Sequence, residues 1–113
     1  MTSCVFCRIA AHQAPARIVF EDTELMAFHD IAPRAPVHVL VIPKEHIPSL
    51  DAALPEQREL LGKLLLGVQR AARETGIAEA FRVVTNSGRG AGQTVFHLHF
   101  HVLGGRTMAW PPG

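Results

Sequence analysis

The chain has no apolar run approaching the roughly 20 residues that span a membrane. It has no block of lysine and arginine, and only two cysteines among its 113 residues. The first absence speaks against a membrane helix. The second, with a formal net charge of +1, speaks against a nucleic-acid groove or an acidic membrane surface as partner. The N-terminal residues lack the basic-then-apolar layout of a signal peptide, so a cytoplasmic location is expected. No internal repeat, low-complexity tract or linker appears, and a single domain over residues 1–113 is expected. A Gly-x-Ser-x-Gly elbow is missing too. So is a P-loop: the glycine-rich stretch 87–94 is not followed by Gly-Lys-Ser/Thr and leads into a strand rather than a helix. Hydrophobic residues at 48% and charged residues at 19% exclude a disordered chain.

The elements that are present read in order. Residues 4–11 suit a short helix, ended by the stretch around Pro15. Residues 17–20 and 24–28 flank Glu21-Asp-Thr and suggest a β-hairpin. Two prolines make residues 31–36 a loop. Residues 38–42 are mostly β-branched and apolar, as in a central strand closed by Pro43. Residues 55–75 form the one long helix, with Leu61, Leu64, Leu65, Val68 and Ala72 as its apolar stripe. Pro55 suits its first turn and Gly76 its C-terminal cap. Strands are expected over 81–85 and 95–103. Segregated strands and helices predict an α+β fold: a five-stranded, mainly antiparallel sheet with one long and one short helix.

The compositional oddity is histidine, seven in all, three of them within five residues. Phe96-His97-Leu98-His99-Phe100-His101-Val102 alternates strictly. On a strand, residues two apart share a face, so three imidazoles would project one way, at about 7 Å spacing, and four apolar side chains toward the core. Adjacent imidazoles disfavour one another's protonation, which makes them costly filler. Such a row can supply a nucleophile or base whose tautomer a neighbour fixes, or it can bind a metal. The glycine-rich loop just upstream could offer backbone N–H groups as an anion nest, although a flexible turn is the plainer reading. Joined to a histidine nucleophile, the loop suggests chemistry at phosphorus.

At His97-Leu-His-Phe-His-Val-Leu103 the chain resembles the histidine triad (HIT) superfamily, whose signature is His-φ-His-φ-His-φ-φ with φ apolar. Ala27-Phe-His-Asp-Ile-Ala-Pro33, Val37-His-Val-Leu-Val-Ile-Pro-Lys44, Gly90-Ala-Gly-Gln-Thr-Val-Phe96 and Leu103-Gly-Gly-Arg106 with Trp110-Pro-Pro-Gly113 look like its nucleotide-binding HINT branch. That resemblance implies a HIT-like fold, a homodimer that joins two sheets, and a purine nucleoside phosphoramidase. Such an enzyme hydrolyses the P–N bond of adenosine or guanosine 5′-phosphoramidates, AMP-lysine included, and releases AMP or GMP. Residue by residue, His99 matches the nucleophile that takes up the nucleotidyl group. His101 and His38 match its supporting histidines, and His97 the first member of the triad. Asp30 and Ile31 match the ribose-binding pair, a carboxylate being able to accept two hydroxyl donors. Asn86, Gly92 and Thr94 match the phosphate-side groups, and Trp110 the tryptophan that reaches toward the neighbouring subunit's site. The branch usually has serine where this chain has Thr94, and often histidine where it has Ala109. His12 is expected in solvent and His29 in a turn or packed.

Cys4 and Cys7 form a C-x-x-C pair. The redox reading needs a thioredoxin-like βαβ unit, which is not foreseen here. A structural zinc needs four ligands, so the pair must recruit others. The resemblance implies His46, from Pro-Lys-x-His, and His97. A metal-free pair of reduced cysteines is the alternative, and no cofactor is expected to be required for catalysis. The leading expectation is an enzyme. Its rivals are a nucleotide-binding sensor or scaffold dimer with vestigial hydrolysis, and a dinucleoside polyphosphate hydrolase of the same superfamily, against which the Trp-Pro-Pro-Gly terminus argues.

Overall fold

Cys4 starts the first helix by accepting the Cys7 N–H on its own Sγ at 3.3 Å. The computed structural model describes residues 3–113, and this helix, α1 (Val5–Ala10), buries Phe6 and Ile9. His12, at φ 58°, turns the chain away from it. The hairpin follows as β1 (Ile18–Glu21) and β2 (Leu25–His29). Asp22 Oδ1 nucleates its turn by accepting the Glu24 and Leu25 N–H groups, each at 2.8 Å. After the proline loop come β3 (Val37–Pro43), a 3-10 turn at Pro55–Gln57, α2 (Arg58–Glu74), β4 (Phe81–Val84) and β5 (Phe100–Gly104). The sheet order is β1-β2-β3-β5-β4, and every pairing is antiparallel. The α+β architecture expected from the sequence is therefore present.

Alternation along the strands divides the core between two faces. Val39, Val41, Phe100 and Val102 pack with Leu64, Val68, Ala71 and Ala72 of α2. Leu40, Ile42, Met26 and Phe28 pack on the other face with Phe6 and Ile9 of α1. The helix comes close because Gly67 has no side chain: a Cβ there would lie 3.0 Å from Leu25 Cδ1. The stripe expected on α2 needs one correction. Leu65 is 57% exposed, and Gly67 and Ala71 are buried where the helix faces the sheet. Among the described residues no helix is long and apolar enough to cross a membrane.

The last strand also departs from expectation. It begins at Phe100 rather than at 95. Extending the register beyond Val41↔Phe100 would bring Pro43 opposite Leu98, and proline has no N–H for a ladder. Residues 93–99 are held instead by single bonds, among them Leu98 N–H to the Ile47 carbonyl at 2.6 Å. Phe96, expected in the core, is 42% exposed under the Arg89 guanidinium, 6.0 Å from its ring centroid.

Candidate active site

The histidines keep to one side of the sheet although only His101 lies in the β5 ladder. Leu98, Phe100 and Val102 point to the α2 core, as the alternation requires. On the opposite face the Phe6 ring meets His99 edge-on with centroids 5.1 Å apart, and His97 at 6.0 Å. His99 and His101 are 5.0 Å apart. His38, on the neighbouring strand β3, lies 5.1 Å from His101.

Hydrogen bonds assign the tautomers. The Arg34 N–H donates to His38 Nδ1 at 3.0 Å, so the His38 proton sits on Nε2. That Nε2–H donates to His101 Nδ1 at 2.8 Å, with Asp30 Oδ2 also near at 3.4 Å. His101 therefore carries its proton on Nε2. The His99 Nδ1–H donates to the His97 carbonyl at 2.7 Å, which leaves the lone pair of His99 on Nε2. Burial pushes the pKa values of His38, His97 and His99 below the usual 6.5. His101 falls to about 4, through burial first and then the neighbouring His99 and His38. Near neutral pH the row is uncharged, with one nucleophilic nitrogen and one N–H donor side by side.

His97 has turned away from this pair. Its Nε2–H donates to the Pro43 carbonyl at 2.7 Å. Its Nδ1 faces Cys4 Sγ at 3.4 Å, Cys7 Sγ at 3.5 Å and His46 Nδ1 at 3.2 Å, and Cys7 Sγ lies 3.2 Å from His46 Nδ1. The four ligand atoms all fall within 4.8 Å of one another. Zinc bonds of about 2.3 Å to sulfur and about 2.05 Å to nitrogen at tetrahedral angles would separate nitrogens by about 3.3 Å and nitrogen from sulfur by about 3.5 Å. The donor set and its spacing fit a structural zinc.

The phosphate-side residues lie in the loop after β4. Asn86 packs beside Gly92, whose Cβ would come within 3.9 Å of the Asn86 amide. Gly92 takes φ 99°, a conformation that favours glycine. The loop is a closed turn, the plainer reading, rather than an open anion nest. The N–H groups of Ala91 and Gln93 close on the Gly88 carbonyl, that of Gly92 on the Arg89 carbonyl, and that of Gly88 on Gln93 Oε1. Thr94 is exposed at the end of this loop. Asp30 spends Oδ1 on the Ala32 N–H at 2.8 Å, an Asx turn that holds the 99% exposed Ile31 out into solvent.

The HIT domain family matches residues 11–108. The chain belongs to the histidine triad (HIT) family. An uncharacterised HIT-like protein of Synechocystis is 53% identical over 109 residues, which is 96% of either chain. The crystal structure of a HIT family hydrolase from Legionella pneumophila matches with a TM-score of 0.95 at 46% identity, covering 98% of this chain and 100% of that one. A zinc-bound histidine triad family protein from Mycobacterium smegmatis matches with a TM-score of 0.77 at 40% identity, covering 92% and 76%. The solved structures similar to it thus include proteins called HIT family hydrolases.

Within the HIT fold, His38, His99, His101 and Asp30 form one group, and Cys4, Cys7, His46 and His97 another. Trp110 belongs to neither. It is 81% exposed, with the Arg82 guanidinium 6.0 Å from its ring and bonded to the Ala109 carbonyl at 2.9 Å. His29 ends β2 opposite Val39. His12 is not simply solvated, since its Nε2 lies 2.7 Å from Glu21 Oε2. Sequence reasoning missed four contributors: Phe6, Arg34, Thr85, whose hydroxyl donates to the His99 carbonyl at 2.8 Å, and Gln93. The C-V-F-C spacing was the only signal for Phe6, and backbone partners such as the Arg34 N–H leave no mark on sequence.

Proposed function

We propose that this HIT protein is a purine nucleoside phosphoramidase of the HINT branch, hydrolysing adenosine or guanosine 5′-phosphoramidates of the AMP-lysine type. The observation that carries the reading is the bond from His99 Nδ1–H to the His97 carbonyl, which aims a neutral lone pair from Nε2. In the first step His99 Nε2 bonds to phosphorus and the P–N bond breaks. The nitrogen leaves as the free amine, having taken up a proton from solvent, while the His101 Nε2–H hydrogen-bonds the departing group. In the second step water bonds to phosphorus, the bond to His99 breaks, and the nucleoside monophosphate leaves with the water's proton released to solvent. The relay through His38 keeps the His101 proton on Nε2. Asp30 and Ile31 receive the ribose, and Asn86, Gly92 and Thr94 the phosphate side.

Two further parts belong to this reading. A zinc held by Cys4, Cys7, His46 and His97 would tie α1 to the sheet as a structural ion; the zinc-bound Mycobacterium smegmatis relative and the ligand spacing support it. A homodimer would cover Leu65 and Leu66 of α2 and the edge strand β4, where Phe81 and Val83 are exposed. Trp110 would then meet the neighbouring subunit's site.

Single-turnover labelling with a radiolabelled adenosine phosphoramidate tests the enzyme. A label on His99 that turns over is expected. The His99→Ala protein should lose turnover yet keep AMP affinity within about tenfold, because the ring acts mainly in the transition state. Near-normal hydrolysis by His99→Ala would refute the nucleophile, and tight AMP binding without a labelled histidine would favour a nucleotide-binding sensor. Metal analysis of protein purified without chelator should find about one zinc per chain; none would reject the ion.

A further inference from the structure

The four-residue cluster and the nucleophile share His97, whose two ring nitrogens and carbonyl are all engaged. Its Nδ1 faces Cys4, Cys7 and His46. Its Nε2–H reaches the Pro43 carbonyl at 2.7 Å, and its own carbonyl takes the His99 Nδ1–H at 2.7 Å. The side chain is fully buried, so any turn of the ring must be accommodated by the backbone at residue 97. A second path runs beside the first. Phe6 sits between the two cysteines on α1, and its ring touches His97, His99 and Phe28. The helix that brings both thiols to the cluster therefore also supplies the wall against which the nucleophilic ring rests.

The orientation of the His97 carbonyl decides where the His99 proton lies. With that carbonyl in place the proton is on Nδ1 and Nε2 is free to attack; with it displaced, a proton on Nε2 would mask the nucleophile. We propose that His97 and Phe6 are positioning residues, through which a metal held at Cys4, Cys7, His46 and His97 sets the tautomer and ring orientation of His99. The proposal rests on the reading of His99 as nucleophile. Its first test needs no substrate, so it fails or stands separately from that reading. A metal-ligating ring and the groups hydrogen-bonded around it are coupled, and loss of such an outer partner costs about 10–100-fold in metal affinity or activity.

The test is a histidine-ring nitrogen NMR spectrum of the full chain labelled with 15N. It is recorded with zinc bound and after chelation, with the His99 signals assigned from the His99→Ala protein. With zinc, His99 should show a protonated Nδ1 and an unprotonated Nε2. After chelation the two nitrogens should move toward averaged shifts. Phe6→Leu keeps all four ligands and should keep one zinc per chain. It should also broaden or shift the His99 signals and lower kcat about tenfold with KM within about twofold. If chelation unfolds the protein, the Phe6→Leu spectrum decides alone. His99 signals identical with and without zinc would overturn the proposal. So would a Phe6→Leu protein with unchanged spectrum and kcat, or a chain that binds no zinc at all.

Discussion

Acidification from about pH 7.5 to about pH 4.5 should destabilise the wild-type protein more than a His101→Gln variant, by about 2 kcal/mol. The reasoning starts from the environment of His101, which is partly buried between His99 and His38 and whose pKa falls from the usual 6.5 to about 4. Above the unfolded value both states are neutral and the group contributes nothing to the pH dependence. Between that value and about 4 the unfolded chain binds a proton that the folded protein refuses. Stability is therefore lost as the pH falls through this window, and the loss is complete below the folded pKa. A gap of about 2.5 units is worth about 3 kcal/mol at its limit, and about 2 kcal/mol at pH 4.5 once partial solvent access is allowed for. Glutamine retains an oxygen for the His38 Nε2–H but cannot titrate. The variant also keeps Cys4, Cys7, His46 and His97, so acid release of a bound metal cancels in the difference. Urea midpoints for both proteins at the two pH values supply the comparison. Equal losses, or a larger loss in the variant, would show that His101 is not held neutral by its burial, and the charge assigned to the relay would be wrong.

Gln93 and Trp110 carry the remaining predictions. Gln93 is buried and donates its amide to the Pro48 and Val95 carbonyls while accepting the Gly88 N–H. Gln93→Leu should cost about 2–3 kcal/mol in a urea melt by leaving these groups unpaired, and should raise KM for a nucleotide substrate more than it lowers kcat; an unchanged melt would refute the staple. Truncation before Trp110 should leave the fold, and the oligomeric state by light scattering, as in the full chain, since this ring is 81% exposed and fills no part of the core. It should alter kcat/KM unevenly across a series of leaving amines, and equal loss for every amine would point to a general stabilising role.

Periodicity made the sheet faces legible. Leu98, Phe100 and Val102 go to α2 and the histidines to α1 because a strand alternates, whether or not each residue is paired. The start of β5 was not legible, because it depends on which residue lies opposite, and Pro43 comes from a strand more than fifty positions earlier. Leu65 and Leu66 look like core residues on composition alone, yet the face that the helix turns to the sheet is Leu64, Gly67, Val68, Ala71 and Ala72. The glycine loop offered N–H groups in plausible number, but their mutual bonds appear only in three dimensions. The two uses of histidine were separable only by geometry: three rings in register by sequence become two at one site and one at another, because His97 finds thiols on its side and His99 a phenyl ring.

The cluster of Cys4, Cys7, His46 and His97 also bears on how the chain reaches this state. Cys4 and His97 are separated by 93 positions, and His46 lies near the middle of that interval. Closing a flexible loop of that length costs about 4 kcal/mol in chain entropy from its length dependence alone. Because the four ligands come together only in the folded chain, metal binding would add its free energy to the folded state, with the six residues of α1 drawn in locally. A ribosome-bound chain can assemble the hairpin of β1 and β2 early, because its partners are near neighbours. The cluster must wait until residue 97 has emerged, by which time β1 through β4 have been synthesised. Metal capture would then come late in folding and would act as a latch on a sheet already in register.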